Sequence, residues 1–255
     1  MTAEDITAQL RTRTIGRPVR VYQEVSSTNN VAMDLANEGA PEGCVIFAER
    51  QTAGRGRLGR AWETTPGTSL AFSILLRPTW ENPSRLSLAT AVVLARVLAN
   101  HTPECVGIKW PNDIYIGGSK VAGILCESSG GAMIVGVGIN VSQRTADFPH
   151  SVGSKAGSLT MFSEINPDRA ALAAALLNEF ERVYESLPAA FAEIVTECEE
   201  RSTLLGEEIA VQAGSQHVTG TVIGITSDGC LRIRSDTGKE EIITAGEVTL
   251  LTRSI

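Results

Sequence analysis

A short segment in which glycines alternate with arginines, Gly54–Trp62, restricts the fold more than any other part of the chain. From Arg50 to Trp62 there are four arginines and no acidic residue, although the chain carries a formal net charge of -7. Glycines let backbone N–H groups approach a ligand closely, and arginine side chains match the oxygens of carboxylates and phosphates. Trp62 adds an apolar face on which a base could stack. The segment therefore predicts an anion-binding loop, with a solvated basic loop between two strands as the alternative.

The residues around this loop exclude three familiar nucleotide-binding folds. Its glycines satisfy the dinucleotide-binding spacing, but that fold needs a helix after them, and residues 63–68 predict a turn. A Walker A loop requires Lys and then Ser or Thr where the chain has Arg60 and Ala61. Neither the His-Arg-Asp nor the Asp-Phe-Gly motif of protein kinases follows. The loop is thus predicted to bind its anion in a different fold.

The composition favours a cytoplasmic protein with one large and one small domain. The 255 residues, 43% of them hydrophobic, can bury a full core. The net negative charge argues against nucleic acid as the main partner, and no apolar run is long enough to span a membrane. Five scattered cysteines without a Cys-x-x-Cys pair suit a reducing compartment, and the polar, acidic start is unlike a signal peptide. Three separate histidines, at positions 101, 150 and 217, indicate neither a metal site nor a catalytic triad.

The first half of the chain predicts alternating strands and helices. Predicted strands cover residues 19–25, 44–48 and 68–76, and predicted helices begin at Asn30 and at Asn82–Ser84. Residues 1–18 are polar and predict a peripheral segment into which no helix-turn-helix can be fitted. The run Ser26–Asn29 predicts a helix cap. In it, Ser27 and Thr28 are either capping residues or groups that recognise a polar ligand headgroup.

A second informative block lies at residues 106–116, which predict two strands separated by a sharp break. Pro111 interrupts the strand pattern, so that the polar pair Asn112 and Asp113 is presented at the break. Gly117-Gly118 then predicts a hairpin turn.

Two polar residues adjoin the apolar strands that follow. Lys120 leads the apolar run 121–125, where it is either a surface lysine with a buried stem or a group that holds a carboxylate or a reacting phosphate. Asn140 ends the strand 133–141, whose glycines indicate that another group packs closely against it. It is either a turn-forming residue or a partner for the edge of a base.

The last third predicts two helices and then a small all-β domain. Asn166 is predicted to cap the first helix, with Pro167 at its first position, and a second helix covers residues 189–201. From Glu208 onward, five short strands separated by tight turns predict a small barrel. The predicted division is residues 1–205 and 206–255. The fold class is therefore α+β, a mixed sheet flanked by helices with a small C-terminal β-barrel.

The candidate residues point to one kind of chemistry. The chain offers a loop for anions, a tryptophan for stacking, two asparagines and a lysine, but no nucleophile elbow, Cys–His pair or metal-ligand cluster. Activation of a carboxylate by ATP needs no nucleophile from the enzyme, because the substrate attacks the α-phosphate itself. The protein mainly positions two anions and neutralises their charge. Mg²⁺ is expected on the leaving pyrophosphate.

Four motifs together resemble those of biotin protein ligases, in the same order along the chain. They are Gly54–Trp62, Lys109–Asp113, Lys120–Leu125 and Gly138–Asn140. Ser27–Asn29 and Gln51 also stand where that family has them, and Gly246–Leu250 resembles the end of its C-terminal SH3-like domain. The similarity runs from about residue 19 to the end. The first two motifs together are highly specific. The resemblance implies a class II synthetase-like catalytic sheet followed by an SH3-like barrel.

The resemblance also implies roles for individual residues. The biotin-binding set is Ser27, Thr28, Asn29, Gln51, Arg55, Gly56, Arg57 and Lys120. The ATP-binding set is Arg57, Arg60, Trp62, Asn112 and Asn140, with Trp62 and the asparagines facing the adenine and Arg60 the triphosphate. Lys120, Arg55 and Asp113 form the predicted catalytic group, in which Asp113 orients or deprotonates the incoming lysine. No residue is predicted to bind a metal.

The implied reaction joins biotin to ATP and then to a protein. Biotin and ATP, with Mg²⁺, form biotinyl-5′-adenylate, and biotin passes to a lysine of a biotin carboxyl carrier domain of acetyl- or acyl-CoA carboxylase or pyruvate carboxylase. Unlike bifunctional members, the chain has no fitted N-terminal winged helix, so no binding to nucleic acid and none to membranes is expected. The chain is expected to be a monomer or a homodimer.

Two rival functions stay open on the sequence. A lipoate or octanoate ligase shares the fold and the adenylation step, although the arginine loop and the Lys109–Asp113 block favour biotin. A small-molecule sensor tethered to an SH3-like module would bind the same ligands without catalysis. Substrate competition separates the first rival from a biotin ligase, and loss of adenylation in a lysine variant separates the second.

Overall fold

The structure is a computed structural model that describes residues 1–80, 85–149, 155–187, 189–213 and 216–251. Three sequence-based features fall wholly or partly outside these residues: the helix start at Asn82–Ser84, His150, and the first part of the Gly/Ser-rich loop over residues 151–158.

Five helices and twelve strands are assigned in the described residues. The helices are α1 Ala3–Thr7, α2 Thr28–Asn37, α3 Arg85–Ala99, α4 Arg169–Ser186 and α5 Phe191–Glu200. The strands of the large sheet are β1 Val19–Val25, β2 Val45–Gln51, β3 Ser69–Leu76, β4 Val106–Lys109, β5 Asp113–Ile116, β6 Ser119–Ser129 and β7 Ala132–Asn140. The strands of the small sheet are β8 Glu208–Ala213, β9 Gln216–Ile225, β10 Leu231–Arg234, β11 Glu240–Ile243 and β12 Glu247–Leu250.

The large sheet is mixed, as the sequence predicts. Its strand order is β1-β2-β3-β7-β6-β5-β4, in which β1 and β2 are parallel and the other neighbours are antiparallel. The hairpin turn predicted at Gly117-Gly118 joins β5 to β6, and both glycines have positive φ (54° and 78°). Such angles suit a tight two-residue turn. The α+β class is therefore confirmed.

The two faces of this sheet differ in how far helices cover them. Helix α3 packs on β4, β5 and β6 on one face, α4 and α5 pack against α3, and the apolar side chains of these helices form a large part of the core. On the other face α2 covers only part of the sheet, and a small cluster including Leu35, Ile46 and Ile134 is buried there. Beyond the N-terminus of α2 the sheet carries small residues in place of a second helix. This open half of the sheet is the floor of a large cavity.

Two expectations about helix starts need correction. Helix α2 begins at Thr28, two residues before the predicted start, and Ser27 occupies the N-cap position without a capping hydrogen bond. Helix α4 begins at Arg169 and is capped by Asp168, whose Oδ1 accepts from the N–H of Ala171 at 2.8 Å. The prediction of Asn166 as cap was therefore wrong. A proline near a helix start signalled the correct region, but the aspartate after it supplies the better-placed acceptor.

The expectation that residues 1–18 are peripheral is also wrong. Ile6 and Ile15 are fully buried in the main core. The carboxylate of Glu181 on α4 accepts the backbone N–H groups of Arg13, Thr14 and Ile15 at 2.8, 2.7 and 2.8 Å. The segment has few apolar residues, yet a buried carboxylate in another element fixes its backbone.

The small sheet has the order β11-β10-β9-β8-β12 and is antiparallel throughout. It lies against the large domain, because the indole N–H of Trp110 donates to the carbonyl of Gly229 at 2.9 Å and Arg85 pairs with Asp228 at 2.8 Å. Its strands fall where the sequence predicts them. The division of the chain at residues 205 and 206 stays a prediction. Among the described residues, no helix combines the length and apolar character needed to cross a membrane.

Candidate active site

A cavity of about 1390 Å³ lies over the open half of the large sheet. Its wall is formed by the arginine loop, the N-terminus of α2, strands β5, β6 and β7, and the segment Gly246–Leu250 of the small sheet. Every site residue predicted from the sequence lines it: Ser27, Thr28, Asn29, Gln51, Arg55, Gly56, Arg57, Arg60, Trp62, Asn112, Asp113, Lys120 and Asn140. The structure thus brings all of these residues to one cavity, while their roles in binding ligands stay predictions.

One corner of the cavity is a polar cluster at the N-terminus of α2. The side-chain carbonyl of Gln51 accepts the backbone N–H of Thr28 at 2.8 Å and lies 3.2 Å from the Thr28 hydroxyl. Ser27 and Thr28 are each only 4% exposed. Because Ser27 makes no capping bond, its hydroxyl is available to a ligand. The corner therefore suits a small, polar and uncharged headgroup.

Asn29 occupies the same corner but is already fully hydrogen bonded. Its amide nitrogen donates to the carbonyl of Leu125 at 3.3 Å and to the carboxylate of Glu127 at 2.7 Å. Its amide oxygen accepts from the Ser73 hydroxyl at 2.6 Å. A Cβ added at Gly136 would lie 2.2 Å from this oxygen. Asn29 is therefore held rigidly against the sheet, and direct contact with biotin stays a prediction.

Trp62 lies flat on a glycine floor. A Cβ added at Gly138 of β7 would lie 2.3 Å from the indole ring, and one added at Gly123 of β6 would lie 3.3 Å from it. These two glycines face each other in the antiparallel register. The sequence had indicated that something packs closely on the glycines of β7, and the partner is the indole. Trp62 thereby forms an apolar shelf inside the cavity, suited to a purine ring.

Two variants of β7 separate the two halves of the cavity. In Gly138→Ala the methyl group forces the rigid indole to move, so we expect the KM for ATP to rise by about 5- to 150-fold, the equivalent of 1–3 kcal/mol of overpacking. Gly136→Ala lies two residues away on the same face and displaces Asn29, so biotin binding should weaken instead. Steady-state kinetics in each substrate checks this. Equal effects of both variants on both substrates would contradict the assignment.

Each arginine of the loop has a partner within the protein. Arg55 pairs with Glu127 at 3.2 Å, and Arg57 donates to Asn112 Oδ1 at 3.1 Å and to the carbonyl of Gly246 at 3.0 Å. Arg60 pairs with Glu247. Burial, together with the nearby Arg60 charge, lowers the pKa of Arg57 from its ordinary value despite the opposing charge of Asp113. The loop is therefore clasped between the large sheet and the small one.

Leu58, at the tip of the loop, takes no part in these contacts between the loop and the two sheets. Its φ of 56° falls in the left-handed region that favours glycine, and its side chain is 71% exposed. The tip thus projects into solvent beside the mouth of the cavity.

Lys120 and Asp113 form an ion pair inside the cavity. Lys120 Nζ lies 2.6 Å from Asp113 Oδ1 and 5.7 Å from the centre of the Trp62 ring. Lys109 lies opposite Asp113 in the β4–β5 register, with Nζ 5.6 Å from the Tyr115 ring centre. Burial lowers the pKa of Lys109 from its ordinary value despite the opposing charge of Asp113, and the neighbouring Lys120 and Arg60 charges act in the same direction as burial. A group of cations thus faces one acid, which suits a ligand with several negative charges.

The two asparagines predicted to face the adenine are engaged in the protein. Asn112 donates to the carbonyl of Ile124 at 2.8 Å while accepting from Arg57. Asn140 donates to the carbonyl of Gly157 at 3.0 Å and accepts from Gln143 at 3.1 Å. Both residues line the cavity, but the hydrogen bonds that they make in the structure hold the loops around it. Recognition of a base by either amide stays a prediction.

Sequence reasoning missed three contributors to the site. Glu127, Ser73 and the carbonyl of Gly246 each hold a predicted site residue in place. Glu127 lies two residues after Leu125, so the two side chains point to the same face of the strand. This alternation is the one feature of the sequence that could have indicated Glu127. The other two come from distant parts of the chain. Among the described residues, no three His, Cys, Asp or Glu side chains group closely enough to hold a metal ion.

The fold and the cavity together define a ligase of the Biotin/lipoate A/B protein ligase family, whose sequence profile matches residues 21–143. The profile of the Biotin protein ligase C terminal domain matches residues 204–251. The chain is 33% identical to the bifunctional ligase/repressor BirA of Bacillus spizizenii, over 96% of this chain and 78% of that protein. It is also 33% identical to the biotin--[acetyl-CoA-carboxylase] ligase of Mycobacterium tuberculosis, over 92% of this chain and 90% of that protein.

A solved structure gives the same answer. The biotin protein ligase from Aquifex aeolicus in complex with biotin and ATP superimposes with a TM-score of 0.82 at 32% identity, covering 92% of this chain and 99% of that one. The chain therefore belongs to the biotin protein ligase family and is an enzyme of this ligase type.

Proposed function

We propose that this enzyme converts biotin and ATP to biotinyl-5′-adenylate and passes biotin to one lysine of a biotin carboxyl carrier domain, in the cytoplasm and without binding DNA. The observation that carries the proposal is the cavity itself. It brings the polar corner at Ser27, the arginine loop, the Trp62 shelf and the Lys120–Asp113 pair into one space. The partner would be the carrier domain of acetyl- or acyl-CoA carboxylase or of pyruvate carboxylase.

In the first half-reaction a biotin carboxylate oxygen bonds to the α-phosphorus, and the bond from that phosphorus to pyrophosphate breaks. Both reactants are anions, so the approach is favourable only where fixed cations offset their charge. Lys120 would sit between the carboxylate and the α-phosphate, with Arg55 and Arg57 closing over the acyl-phosphate and Arg60 over the triphosphate. The ureido headgroup would lie in the corner formed by Ser27 and Gln51.

In the second half-reaction the acceptor lysine nitrogen bonds to the acyl carbon, and AMP leaves. The attacking amine must be neutral and must lose a second proton during the step. Asp113 would orient this amine and accept that proton. Its existing contact with Lys120 supports the role, because the same carboxylate already holds one ammonium group in the cavity.

Mg²⁺ belongs to the proposal as an ion on the phosphate oxygens. The phosphates would supply its ligands, because Asp113 and Asp147 in the cavity wall are already paired with Lys120 and Arg144. When bound, it would neutralise charge on the departing pyrophosphate.

The proposal is tested by single-turnover adenylation. The protein is mixed with Mg-ATP and biotin, pyrophosphate release and bound adenylate are measured, and a carrier domain is then added. Adenylate formation followed by transfer supports both half-reactions. Activation of lipoate or octanoate but not biotin would make it a ligase for a different acid. Failure to activate any acid would favour a binding module.

The absence of operator binding has its own test. The formal net charge of -7 opposes contact with DNA phosphates, so we expect no mobility shift with a biotin-operon promoter fragment at physiological salt, with or without biotin and ATP. A shift under these conditions would overturn this part of the proposal.

A further inference from the structure

A single carboxylate connects the polar corner of the cavity to the arginine loop. Glu127 on β6 accepts from the Asn29 amide at 2.7 Å and, with the same oxygen, lies 3.2 Å from the Arg55 guanidinium. Its other oxygen lies 3.4 Å from the same guanidinium nitrogen. Glu127 itself does not line the cavity, but both of its partners, Asn29 and Arg55, do. It touches one residue from each side of the predicted biotin site.

The two partners of Glu127 differ in how firmly the rest of the protein holds them. Asn29 is 3% exposed and is also held by Ser73 and Leu125, so it gives the carboxylate a fixed anchor. Arg55 belongs to a loop, is 36% exposed at its side chain and has Glu127 as its acidic partner in the described residues. A long, flexible side chain loses considerable rotamer entropy when it is held in one place. The anchored carboxylate therefore decides where the Arg55 guanidinium rests.

We propose that Glu127 is a positioning residue that holds Arg55 in register with the biotin corner. The inference rests on the proposed function, because it assumes that biotin occupies the cavity beside Asn29. A charge-assisted contact of this kind restricts the guanidinium more strongly than a neutral hydrogen bond. Removing it leaves Arg55 charged but unplaced, and the cost should appear in biotin binding.

The test is Glu127→Gln, which keeps the shape and an acceptor for Asn29 but removes the charge facing Arg55. We expect the biotin Kd by calorimetry and the biotin KM to rise about tenfold, the equivalent of losing one charged contact, while the KM for ATP stays within about twofold. Arg55→Gln should have a similar effect, and the double variant should be no worse than Arg55→Gln alone. Glu24→Gln, which removes the partner of Arg50 at the sheet edge, is the matched control and should bind biotin normally.

Several results would overturn the inference. These are an unchanged biotin Kd in Glu127→Gln, additive effects in the double variant, or an equal rise in the KM for ATP. Thermal melting of each variant separates positioning from unfolding, and Arg55→Gln tests the same contact from the exposed side. If the wild-type protein binds biotin but releases no pyrophosphate, the proposed function fails while the Kd series still decides the role of Glu127.

Discussion

Lys120→Ala is expected to slow adenylate formation by about 10²-fold or more, the usual loss when one charge-stabilising group is removed from a transition state. In the structure, Lys120 Nζ contacts Asp113 at 2.6 Å and lies beside the Trp62 shelf, between the areas assigned to biotin and to the nucleotide. The variant loses the cation and also leaves the Asp113 carboxylate facing the substrate anions without its ion-pair partner. The two losses act in the same direction on the rate.

Single-turnover measurement of pyrophosphate release gives the rate directly. Lys120→Arg keeps a charge but not its position, so it should fall between the wild type and Lys120→Ala. Lys239→Ala is the matched control, since that lysine is exposed in the small sheet and pairs with Glu241 at 3.6 Å. A Lys120→Ala enzyme with normal adenylation would remove Lys120 from the chemistry.

The second large effect concerns stability. Glu181→Ala should lower the free energy of unfolding by about 3–5 kcal/mol, because it leaves three backbone N–H groups, one buried and two partly buried, without their acceptor. Glu181 is 7% exposed and accepts the N–H groups of Arg13, Thr14 and Ile15. Without it the first segment should detach from α4. Urea denaturation followed by circular dichroism gives the value.

The control for this prediction lies one helical turn further along α4. Glu185 pairs with the exposed side chain of Arg13 at 2.7 Å, and both side chains are largely in solvent. Since exposed ion pairs contribute little, Glu185→Gln should unfold like the wild type. A large loss in Glu185→Gln, or none in Glu181→Ala, would contradict the argument that these backbone donors, not charge alone, determine the effect.

The same carboxylate predicts a pH dependence. Burial alone would raise the pKa of Glu181, but the three backbone N–H groups and the Arg13 charge outweigh it, so the pKa lies below its usual value. The folded state therefore binds its proton less readily than the unfolded state. The stabilisation is complete above about pH 5 and is lost as the pH falls through the folded-state pKa. The stability difference between wild type and Glu181→Ala should accordingly shrink below about pH 4.

The location of the site was readable from the sequence because its residues come in short runs. The segment Gly54–Trp62 concentrates charge and backbone freedom, and the break at Pro111 displays polar groups between two strands. Such signals are local, since a turn or a strand end is determined by a few neighbouring residues. The glycines of β7 likewise indicated close packing, although the sequence could not say that an indole would occupy the space.

What the sequence missed are contacts between residues far apart in the chain. The Asp168 cap lies only two positions after the predicted cap, Asn166. Glu181, in contrast, is separated by more than 160 residues from the backbone that it holds. Glu127 is similarly remote from Asn29 and Arg55. A buried carboxylate on an amphipathic helix or strand looks the same in sequence as a solvated one. Only its surroundings show whether it has donors to satisfy.

The sequence by itself determined the alternation of strands and helices, the small C-terminal sheet, the loop that gathers arginines and the residues that line the cavity. These follow from periodicity, turn chemistry and local charge, which act over a few residues. The tertiary structure alone decided which arginine meets which acid, that Trp62 lies on Gly138, and that the amides of Asn29, Asn112 and Asn140 are already engaged. Those outcomes depend on how sheet register and loop closure bring distant side chains within hydrogen-bonding distance, and that geometry is set by packing of the whole chain.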